Sequence, residues 1–284
     1  MRNKELVSII IITHNRSDLL KKAINSVLNQ TYKNIELIIV DDFSTDNTYN
    51  VVKEIQNKIV KIPIIYIKLD KPSGANVARN TGILHAKGKF ITGLDDDDEM
   101  LPERIEKLVN AFDEKYAYVF SQVYFKTLKN IYKYDFCRFK SFITLEDMLF
   151  FNCTGNQVLT TKSMLLKAGL YDVNLKAAQD YDMWLRLLLI KPIAKKVSEP
   201  LMIIDRNDNI QRISTSKKKI SGYFNVYKKF KSYMTLNHKK FQLYKLYEQK
   251  NKNFNIKKFF LFFPYKNTFI YIYKVTMKVI KEYK

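Results

Sequence analysis

The stretch VSIIIITHNRSDLLKKAINSVLNQTYKNIELIIVDD, residues 7–42, decides the fold class. It begins with a continuous β-branched run, continues with apolar residues at helical spacing, and ends with a second apolar run that stops at two aspartates. Continuous apolar runs of this length are typical of strands buried on both faces. The stretch therefore predicts a β-α-β unit whose helix has Ser17 or Asp18 as its N-cap.

The alternation of strand and helix signals continues beyond this unit. A third strand is predicted at 62–69 and a fourth at 89–94, and between them a helix over 74–88 that Gly88 ends as C-cap. A further helix is predicted to start at Pro102. This order of elements predicts an α/β fold with a Rossmann-like, mostly parallel central sheet and helices on both faces.

Polar clusters follow three of the four predicted strands, at residues 14–16, 41–42 and 95–98. In open α/β sheets, ligands bind beyond the carboxyl ends of the strands. We therefore expect the three clusters to converge on one site.

The composition is that of a globular protein with an excess of positive charge. The chain has 284 residues, 46% of them apolar and 14% aromatic, which is enough for one large α/β domain or for one domain plus an appendage. Lys and Arg number 49 against 28 Asp and Glu, a formal net charge of +21. This charge indicates either a solvated lysine-rich surface or an anionic partner such as nucleic acid, anionic lipid or a phosphate-bearing substrate.

Cysteine usage and hydropathy favour a cytoplasmic protein. Cys137 and Cys153 are too few for a disulfide framework and too far apart for a CxxC motif, so reduced thiols are expected. The first residues contain no apolar segment long enough for a signal peptide. No uncharged stretch of about 18 residues predicts a transmembrane helix.

The character of the chain changes near residue 215. Residues 1–215 are expected to form the main domain, with a first part over about 1–100 and a second over about 101–215. Residues 216–284 are rich in Lys, Phe and Tyr with little acid, and form a basic aromatic extension. Two interpretations remain open: a helical appendage that packs its aromatic residues on the main domain, or a segment that binds an anionic membrane surface.

Four consecutive aspartates, Asp95 to Asp98, are the most unusual local feature. Two unit charges 4 Å apart repel by about 4 kcal/mol at an effective dielectric constant near 20. One interpretation is acidic charge at a helix N-terminus, and the other is a divalent cation held by carboxylate oxygens. In extended backbone, residues i and i+2 face the same way, so Asp95 and Asp97 are expected to point together into the site.

Taken in order, the motifs resemble the family-2 glycosyltransferases, which have the GT-A fold. The segments that carry the resemblance are VSIIIITHNR (7–16), SVLNQTYKNIELIIVDDFSTDNT (26–48), GANVARNTGILHAKGKFITGLDDDD (74–98) and QDYDMWLRL (179–187). It covers about two thirds of the chain and does not extend past about residue 215.

The resemblance implies roles in donor binding. Asp97 would hold Mn²⁺ or Mg²⁺, and Asp95 would contact the ribose or the water shell of the metal. Asp96 is counted with the substrate-binding residues, although its side chain is expected to face away from the metal and to cap the helix at Pro102. Asp42 would accept the N–H of the uracil base. The other residues expected to bind substrate are Thr13, His14, Arg16, Arg79, Asn80, Arg206 and Arg212.

The resemblance also implies a general base. Asp180 would take the proton of the acceptor hydroxyl, and Asp182 is the competing candidate. The family commonly has an acidic dyad here, and in this chain Gln179 replaces its first member. Trp184 would belong to an acceptor platform, with a core position as the alternative.

Together these features predict an inverting, metal-dependent glycosyltransferase. It would move a hexose or N-acetylhexosamine from a UDP-sugar to a glycan or lipid-diphosphate-linked acceptor in surface polysaccharide or lipopolysaccharide assembly, at the inner face of the cytoplasmic membrane. The alternatives are a nucleic-acid-binding protein that uses the basic aromatic tail, and a GT-A domain that binds a nucleotide sugar without catalysis. The basic residues match no recognised nucleic-acid module, so no nucleic-acid partner is expected.

Overall fold

The structure, a computed structural model, describes residues 5–59, 61–137, 140–206 and 218–251. The strands are β1 Val7–Thr13, β2 Ile35–Asp41, β3 Ile64–Lys68, β4 Phe90–Asp95, β5 Asp98–Met100, β6 Val119–Lys126, β7 Ile131–Tyr134, β8 Phe142–Thr144, β9 Leu159–Thr161 and β10 Ile193–Asp205. The helices are α1 Ser17–Leu28, α2 Thr48–Lys58, α3 Ala75–His85, α4 Arg104–Ala111, α5 Leu145–Phe150, α6 Lys162–Lys167, α7 Gln179–Ile190, α8 Lys218–Phe230 and α9 Leu236–Asn251.

The strands form one sheet in the order β3-β2-β1-β4-β9-β6-β10-β5, with β7 beside β6 and β8 beside β10. The first four strands are parallel, as are β6 and β10, whereas β9 runs antiparallel to both β4 and β6. The predicted α/β class is confirmed. The sheet is parallel in its first half and mixed beyond β4. There β4 pairs with the short strand β9, which lies more than 60 residues later in the chain.

Successive side chains of the buried strands point to opposite faces of the sheet, and helices cover both faces. Ile9 and Ile11 of β1 pack with α1, α2 and α4, whereas Ile10 packs in the opposite core with α3, α6 and α7. In β2, Leu37 lies on the first face and Ile38 on the second. Because side chains alternate with period two, an uninterrupted apolar run fills both cores.

Three predicted helix ends differ from the structure: the end of α3, the start of α4, and the N-cap of α1, which is Arg16 rather than Ser17 or Asp18. Helix α3 ends at His85 with Ala86 as C-cap, so Gly88 is not the cap. Gly88 instead allows a close backbone approach, since a Cβ there would lie 2.7 Å from the backbone nitrogen of Ser8. Helix α4 starts at Arg104, two residues after Pro102.

The start of α1 shows a long-range contact that the local sequence could not indicate. Arg16 is the N-cap residue and its side chain makes no capping bond. The backbone N–H of Ser17 instead donates to Asp46 Oδ2, 3.0 Å away in the loop after β2. A distant carboxylate thus satisfies one of the amide groups that every helix start leaves unpaired.

The described part of the C-terminal extension packs on the main domain. Val226 and Phe230 of α8 are buried in the same core as α7. In α9, the amide of Gln242 donates to the backbone oxygens of Leu149 and Phe150 at 2.8 and 2.9 Å. The helical packing interpretation therefore holds for 218–251, whereas the rest of the extension lies outside the described residues.

No helix in the described ranges combines the length and the apolar character needed to cross a membrane.

Gly222 allows α8 to pack closely on the backbone of Ala177, and its replacement by alanine is expected to destabilise the fold. A Cβ at this position would lie 2.4 Å from the backbone oxygen of Ala177, which cannot move away as a side chain could. Overpacking of this kind costs about 1–3 kcal/mol, against a gain of up to about 1 kcal/mol in helix propensity. Urea denaturation should show a net loss for Gly222→Ala and none for Ser221→Ala, the exposed neighbour. Equal stability of the two variants would contradict this packing.

Candidate functional site

The loop after β1 meets the acidic run. Thr13 Oγ1 donates to Asp96 Oδ2 at 2.9 Å, and Arg16 Nη1 donates to Asp96 Oδ1 at 3.0 Å. Arg16 Nη1 also lies 3.6 Å from Asp97 Oδ2. Burial raises the pKa of Asp96 to about 6, although Arg16 and Thr13 act to lower it. The prediction that Asp96 caps the next helix is wrong, because α4 has Glu103 as N-cap and no side-chain capping bond.

The loop after β2 connects to the start of α3. The carboxylate of Asp42 accepts the backbone N–H groups of Ser73 at 2.6 Å and Gly74 at 2.8 Å. Its backbone oxygen lies 2.7 Å from Nδ1 of the exposed His14. Gly74 has a φ of +91°, so its lack of a side chain permits this turn. Asp42 therefore orders the loop that leads into α3, and it remains partly exposed beside His14.

Asp41 has a structural role in the loop after β2. It is fully buried and accepts bonds from the Ser44 backbone N–H at 2.7 Å and from the Tyr66 hydroxyl at 2.5 Å. Burial, followed by the Asp41 carboxylate, raises the pKa of Tyr66.

Asp95, at the end of β4, faces α3 and the segment before β9. Arg79 Nη2 lies 3.3 Å from Asp95 Oδ1, and the guanidinium packs over the ring of Tyr171 at 5.5 Å. The side-chain amides of Asn156 and Gln157 donate to Asp95 at 2.9 and 3.1 Å. Arg79 is thus a largely buried partner of Asp95 rather than a surface helix arginine.

The acidic run turns between β4 and β5, so the premise of extended backbone from Asp95 to Asp97 is wrong. Asp96 and Asp97 form the turn. Asp97 shares Arg16 with Asp96, whereas Asp98 shares the Asn156 amide with Asp95. The run therefore presents its carboxylates to two sides.

Asp98 is the most enclosed member of the run. Its second oxygen accepts the backbone N–H of Asp205 at 3.2 Å. Burial, then Asp95 and Asp97, raise its pKa well above the usual range. The guanidinium of Arg104 is buried nearby and donates to Ser121 at 2.7 Å, and burial lowers its pKa to about 10 although Asp98 acts to raise it.

The donor atoms at the acidic run suit a hard divalent cation that a substrate helps to hold. Carboxylate oxygens are the ligands that Mg²⁺ and Mn²⁺ prefer, and Mg²⁺ commonly uses one or two of them together with phosphates. Asn156 Oδ1 is buried beside the run without a hydrogen-bond partner in the described residues. No group of three or more His, Cys, Asp or Glu in these residues could enclose a metal by itself. The residues therefore fit a cation whose coordination is completed by other oxygens.

Asp180 lies in the first turn of α7, after Ala178 in the left-handed conformation. It is half-buried, and its Oδ1 is enclosed without a hydrogen-bond partner in the described part of the chain. Burial raises its pKa to about 7, with Arg79 acting to lower it and Asp95 to raise it. A carboxylate with this pKa and an unpaired oxygen can accept a proton near neutral pH.

Asp182, the competing candidate, has a different environment. Its side chain is fully buried and contacts Arg186 Nη2 at 2.7 Å and Lys229 Nζ at 2.7 Å. These contacts join α7 to α8. A carboxylate held between two cations serves packing, which favours Asp180 as the proton acceptor.

The remaining candidates divide between the site and the core. The Asn80 amide exchanges two 2.8 Å bonds with the backbone of Tyr171, so it positions that segment. Trp184 is buried, donates to the Gly155 oxygen at 3.1 Å and packs 5.8 Å from the Tyr118 ring, which favours its core alternative. Arg206 is exposed over the ring of Phe125, and Arg212 lies outside the described residues.

A cleft lies between the sheet and helices α3 and α7. Its polar lining includes Arg79, Asp95 and Gln157, and Tyr171 and Trp184 contribute aromatic walls. Sequence reasoning missed Asn156, Gln157 and Tyr171. The polar residues before β9 gave only a weak sequence signal for Asn156 and Gln157. The antiparallel pairing of β9 with β4, which the sequence does not reveal, brings this segment beside Asp95.

Comparison with known proteins places these features in a family. The family model for "Glycosyl transferase family 2" matches residues 8–169. The chain is 37% identical over 262 residues to Escherichia coli (strain K12) WcaA, which is named for glycosyl transfer in colanic acid biosynthesis, and the match covers 89% of this chain and 91% of that protein.

A second relative matches over a shorter region. It is an Escherichia coli protein, the UDP-Glc:alpha-D-GlcNAc-diphosphoundecaprenol beta-1,3-glucosyltransferase WfaP. The two chains are 42% identical over 121 residues, 42% of this chain and 47% of the other.

The fold is shared with a solved structure, S. aureus TarS 1-349 in complex with UDP-GlcNAc. The TM-score is 0.69 at 17% identity, over 92% of this chain and 77% of that one. The predicted GT-A fold is thereby confirmed.

Asp182→Asn is expected to destabilise the protein by about 3 kcal/mol, because it leaves two cations beside a buried neutral amide. Asp172→Asn is the matched control, since Asp172 contacts the same Lys229 at 3.4 Å but is partly exposed and is expected to lose at most about 1 kcal/mol. Urea denaturation of both variants measures the difference. Similar losses would contradict the structural role of Asp182.

Proposed function

Because the chain belongs to glycosyl transferase family 2, we propose that it transfers a hexose or N-acetylhexosamine from a UDP-sugar, with inversion, to a hydroxyl group of a glycan or lipid-diphosphate-linked acceptor. The chain is a glycosyltransferase, and the sugar, the acceptor and the inversion are the proposed part. The observation that carries the proposal is the placement of Asp180, a carboxylate with a pKa near 7, beside the Arg79–Asp95 pair. The name of WfaP supports a UDP-sugar and a diphosphoundecaprenol acceptor, and that of WcaA supports surface polysaccharide assembly.

The donor would bind where the loops after β1, β2 and β4 meet. Asp42 and His14 would border the uracil base of the donor, and Arg16 would lie near its diphosphate. The Asp42 carboxylate keeps acceptor capacity beyond its two backbone bonds, because each of its oxygens has a further lone pair. Arg79 would hold Asp95 toward the donor, and Arg206 follows Asp205, whose backbone N–H donates to Asp98.

Asp97 would hold Mn²⁺ or Mg²⁺ together with the donor phosphates, with Asp98 next to it. A bound cation supplies charge neutralisation for the leaving diphosphate. Arg16 contributes a fixed positive charge on the same side, since its Nη1 lies 3.6 Å from Asp97 Oδ2.

The acceptor hydroxyl would be activated by Asp180. The oxygen of the acceptor hydroxyl attacks the anomeric carbon. As it does so, the bond from that carbon to the diphosphate oxygen breaks, and the electron pair of that bond leaves with UDP. Asp180 takes the hydroxyl proton. A pKa near 7 keeps the carboxylate partly ionised at neutral pH and makes it basic enough to accept the proton. Asp180 would supply this base alone, because Gln179 replaces the other acid of the dyad.

Family membership favours sugar transfer over nucleic-acid binding. The enclosed Asp180 oxygen favours catalysis over binding of the nucleotide sugar alone. We further propose that the protein acts at the inner face of the cytoplasmic membrane, where a diphosphate-linked lipid acceptor would be found and where the lysine-rich extension would meet anionic lipid.

Donor binding is expected to raise the thermal stability of the protein. A ligand at a hundred times its dissociation constant adds about 2.7 kcal/mol. Melting curves with UDP-glucose, UDP-galactose, UDP-GlcNAc and UDP-GalNAc, each with and without Mn²⁺, should show a metal-dependent shift for one donor. Asp97→Ala should lose the metal-dependent part, whereas Glu103→Ala, which changes an exposed acid on the same segment, should keep it. No shift with any of the four donors would remove the proposed activity.

Asp180→Asn is expected to lower the transfer rate by about 10²–10⁴-fold while donor binding persists. In the wild type, kcat/KM should fall as the pH drops through about 7, because the raised pKa protonates the base there. Arg79→Met should move this acidic limb to higher pH, since Arg79 acts to lower the pKa of Asp180. Rates measured from pH 5 to 9 test both effects, with Asp172→Asn as control. An unchanged rate in Asp180→Asn would exclude it as the base.

A further inference from the structure

Helix α8 lies directly against the turn that carries Asp180. Gly222 packs on Ala177, three residues before Asp180, so closely that a Cβ would lie 2.4 Å from the Ala177 oxygen. The next residue, Tyr223, has its ring centroid 5.9 Å from that of Tyr181 at an interplanar angle of 42°. Residues 222 and 223 therefore border the residues on both sides of Asp180.

Tyr223 is also close enough to Asp180 for the two side chains to interact electrostatically. The largest effect on the Tyr223 phenol is burial, followed by the charge of Asp180, and both raise its pKa. The side chain is half-buried, and its hydroxyl makes no hydrogen bond within the described part of the chain. It thus offers an aromatic face and an unpaired hydroxyl at the same place.

Helix α8 is held firmly in this position. Lys229 Nζ lies 2.7 Å from Asp182 Oδ1, whose side chain is fully buried. Val226 and Phe230, on the same helix face, are buried against α7. Tyr223 is therefore presented by a rigid helix rather than by a loop, which is what a precise substrate contact requires.

We propose that α8 forms a wall of the acceptor subsite and that Tyr223 contacts the acceptor sugar, a role that rests on the proposed function. The phenol ring would pack on the C–H face of a pyranose. The Tyr223 hydroxyl would form a hydrogen bond with one hydroxyl of that sugar, while the neighbouring sugar hydroxyl, the one that reacts, lies against Asp180. The acceptor class is a glycan with an exposed pyranose end.

Donor and acceptor would then approach Asp180 from different elements. The donor residues belong to the loops after β1, β2 and β4, whereas Tyr223 comes from the opposite side of α7. Tyr171, the other aromatic residue beside Asp180, is already engaged with the Arg79 guanidinium at 5.5 Å and the Trp184 ring at 6.4 Å. Among the described residues, the titratable groups that interact electrostatically with Asp180 are Arg79 of α3, Asp95 of β4, Tyr171 of the segment before α7, and Tyr223 of α8.

The first test needs no substrate. In the full chain labelled with ¹³C at the aspartate carboxyl carbons, the Asp180 resonance is assigned by its loss in Asp180→Asn and is titrated from pH 4 to 9. Tyr223→Ala should lower the pKa of Asp180, because water replaces the ring that shields it. Tyr223→Phe should leave it near its wild-type value. Tyr227→Ala is the matched control, one turn later and also half-buried, and should have no effect.

The second test measures transfer from UDP-glucose or UDP-GlcNAc to α-GlcNAc-diphosphoundecaprenol. Tyr223→Phe should raise the acceptor KM about three- to tenfold, as expected for one lost hydrogen bond, and leave the donor KM unchanged. Tyr223→Ala should raise it further, and Tyr227→Phe should not change it.

Each outcome supports or overturns the proposal. An unchanged Asp180 titration in Tyr223→Ala would overturn the placement of Tyr223 against the base. A shifted titration with an unchanged acceptor KM would overturn the acceptor contact, while transfer that still depends on Asp180 would leave the proposed function standing. If the wild type transfers no sugar and binds no UDP-sugar, the proposed function fails and the acceptor contact with it.

Discussion

The site depends on one buried cation between two carboxylates. Arg79 interacts with both Asp95 and Asp180, but one positive charge cannot compensate two negative charges where solvent is largely excluded. Asp95 has the direct contact, at 3.3 Å, together with two amide donors. Asp180 has no such direct contact, and burial raises its pKa to about 7 although Arg79 acts to lower it. The direct contacts give Asp95 a fixed position, whereas burial leaves Asp180 able to take a proton near neutral pH.

The fold supplies this arrangement from four separate parts of the chain. Parallel β1, β2 and β4 bring their following loops to one edge, α3 brings Arg79, and α7 brings Asp180. The fourth part is the C-terminal extension, because Lys229 of α8 pairs with Asp182 in the same helix as the base. A change in α8 can therefore alter the site without touching any residue that the family resemblance identifies.

The sequence predicted the parallel half of the sheet and the convergence of its loops, because these follow from periodicity and strand order. It failed wherever a contact joins distant segments. Asp46 satisfies the start of α1, Asn156 links Asp95 with Asp98, and neither pairing has a local signature. The turn at Asp96 and Asp97 was missed for a related reason: the next residues pair with β10, whose Ile204 lies opposite Asp98 and about a hundred positions later.

Residue type alone cannot distinguish the roles of Asp180 and Asp182. Both are aspartates in the first turn of one helix, and nothing in the motif separates them. The two side chains lie two residues apart on the helix and therefore point in different directions. Asp182 meets Arg186 and Lys229 and is held as a structural anion, whereas Asp180 interacts with the charge of Arg79 and retains an enclosed oxygen without a hydrogen-bond partner among the described residues. These different environments, one half-turn apart, favour Asp180 over Asp182 as the proposed proton acceptor.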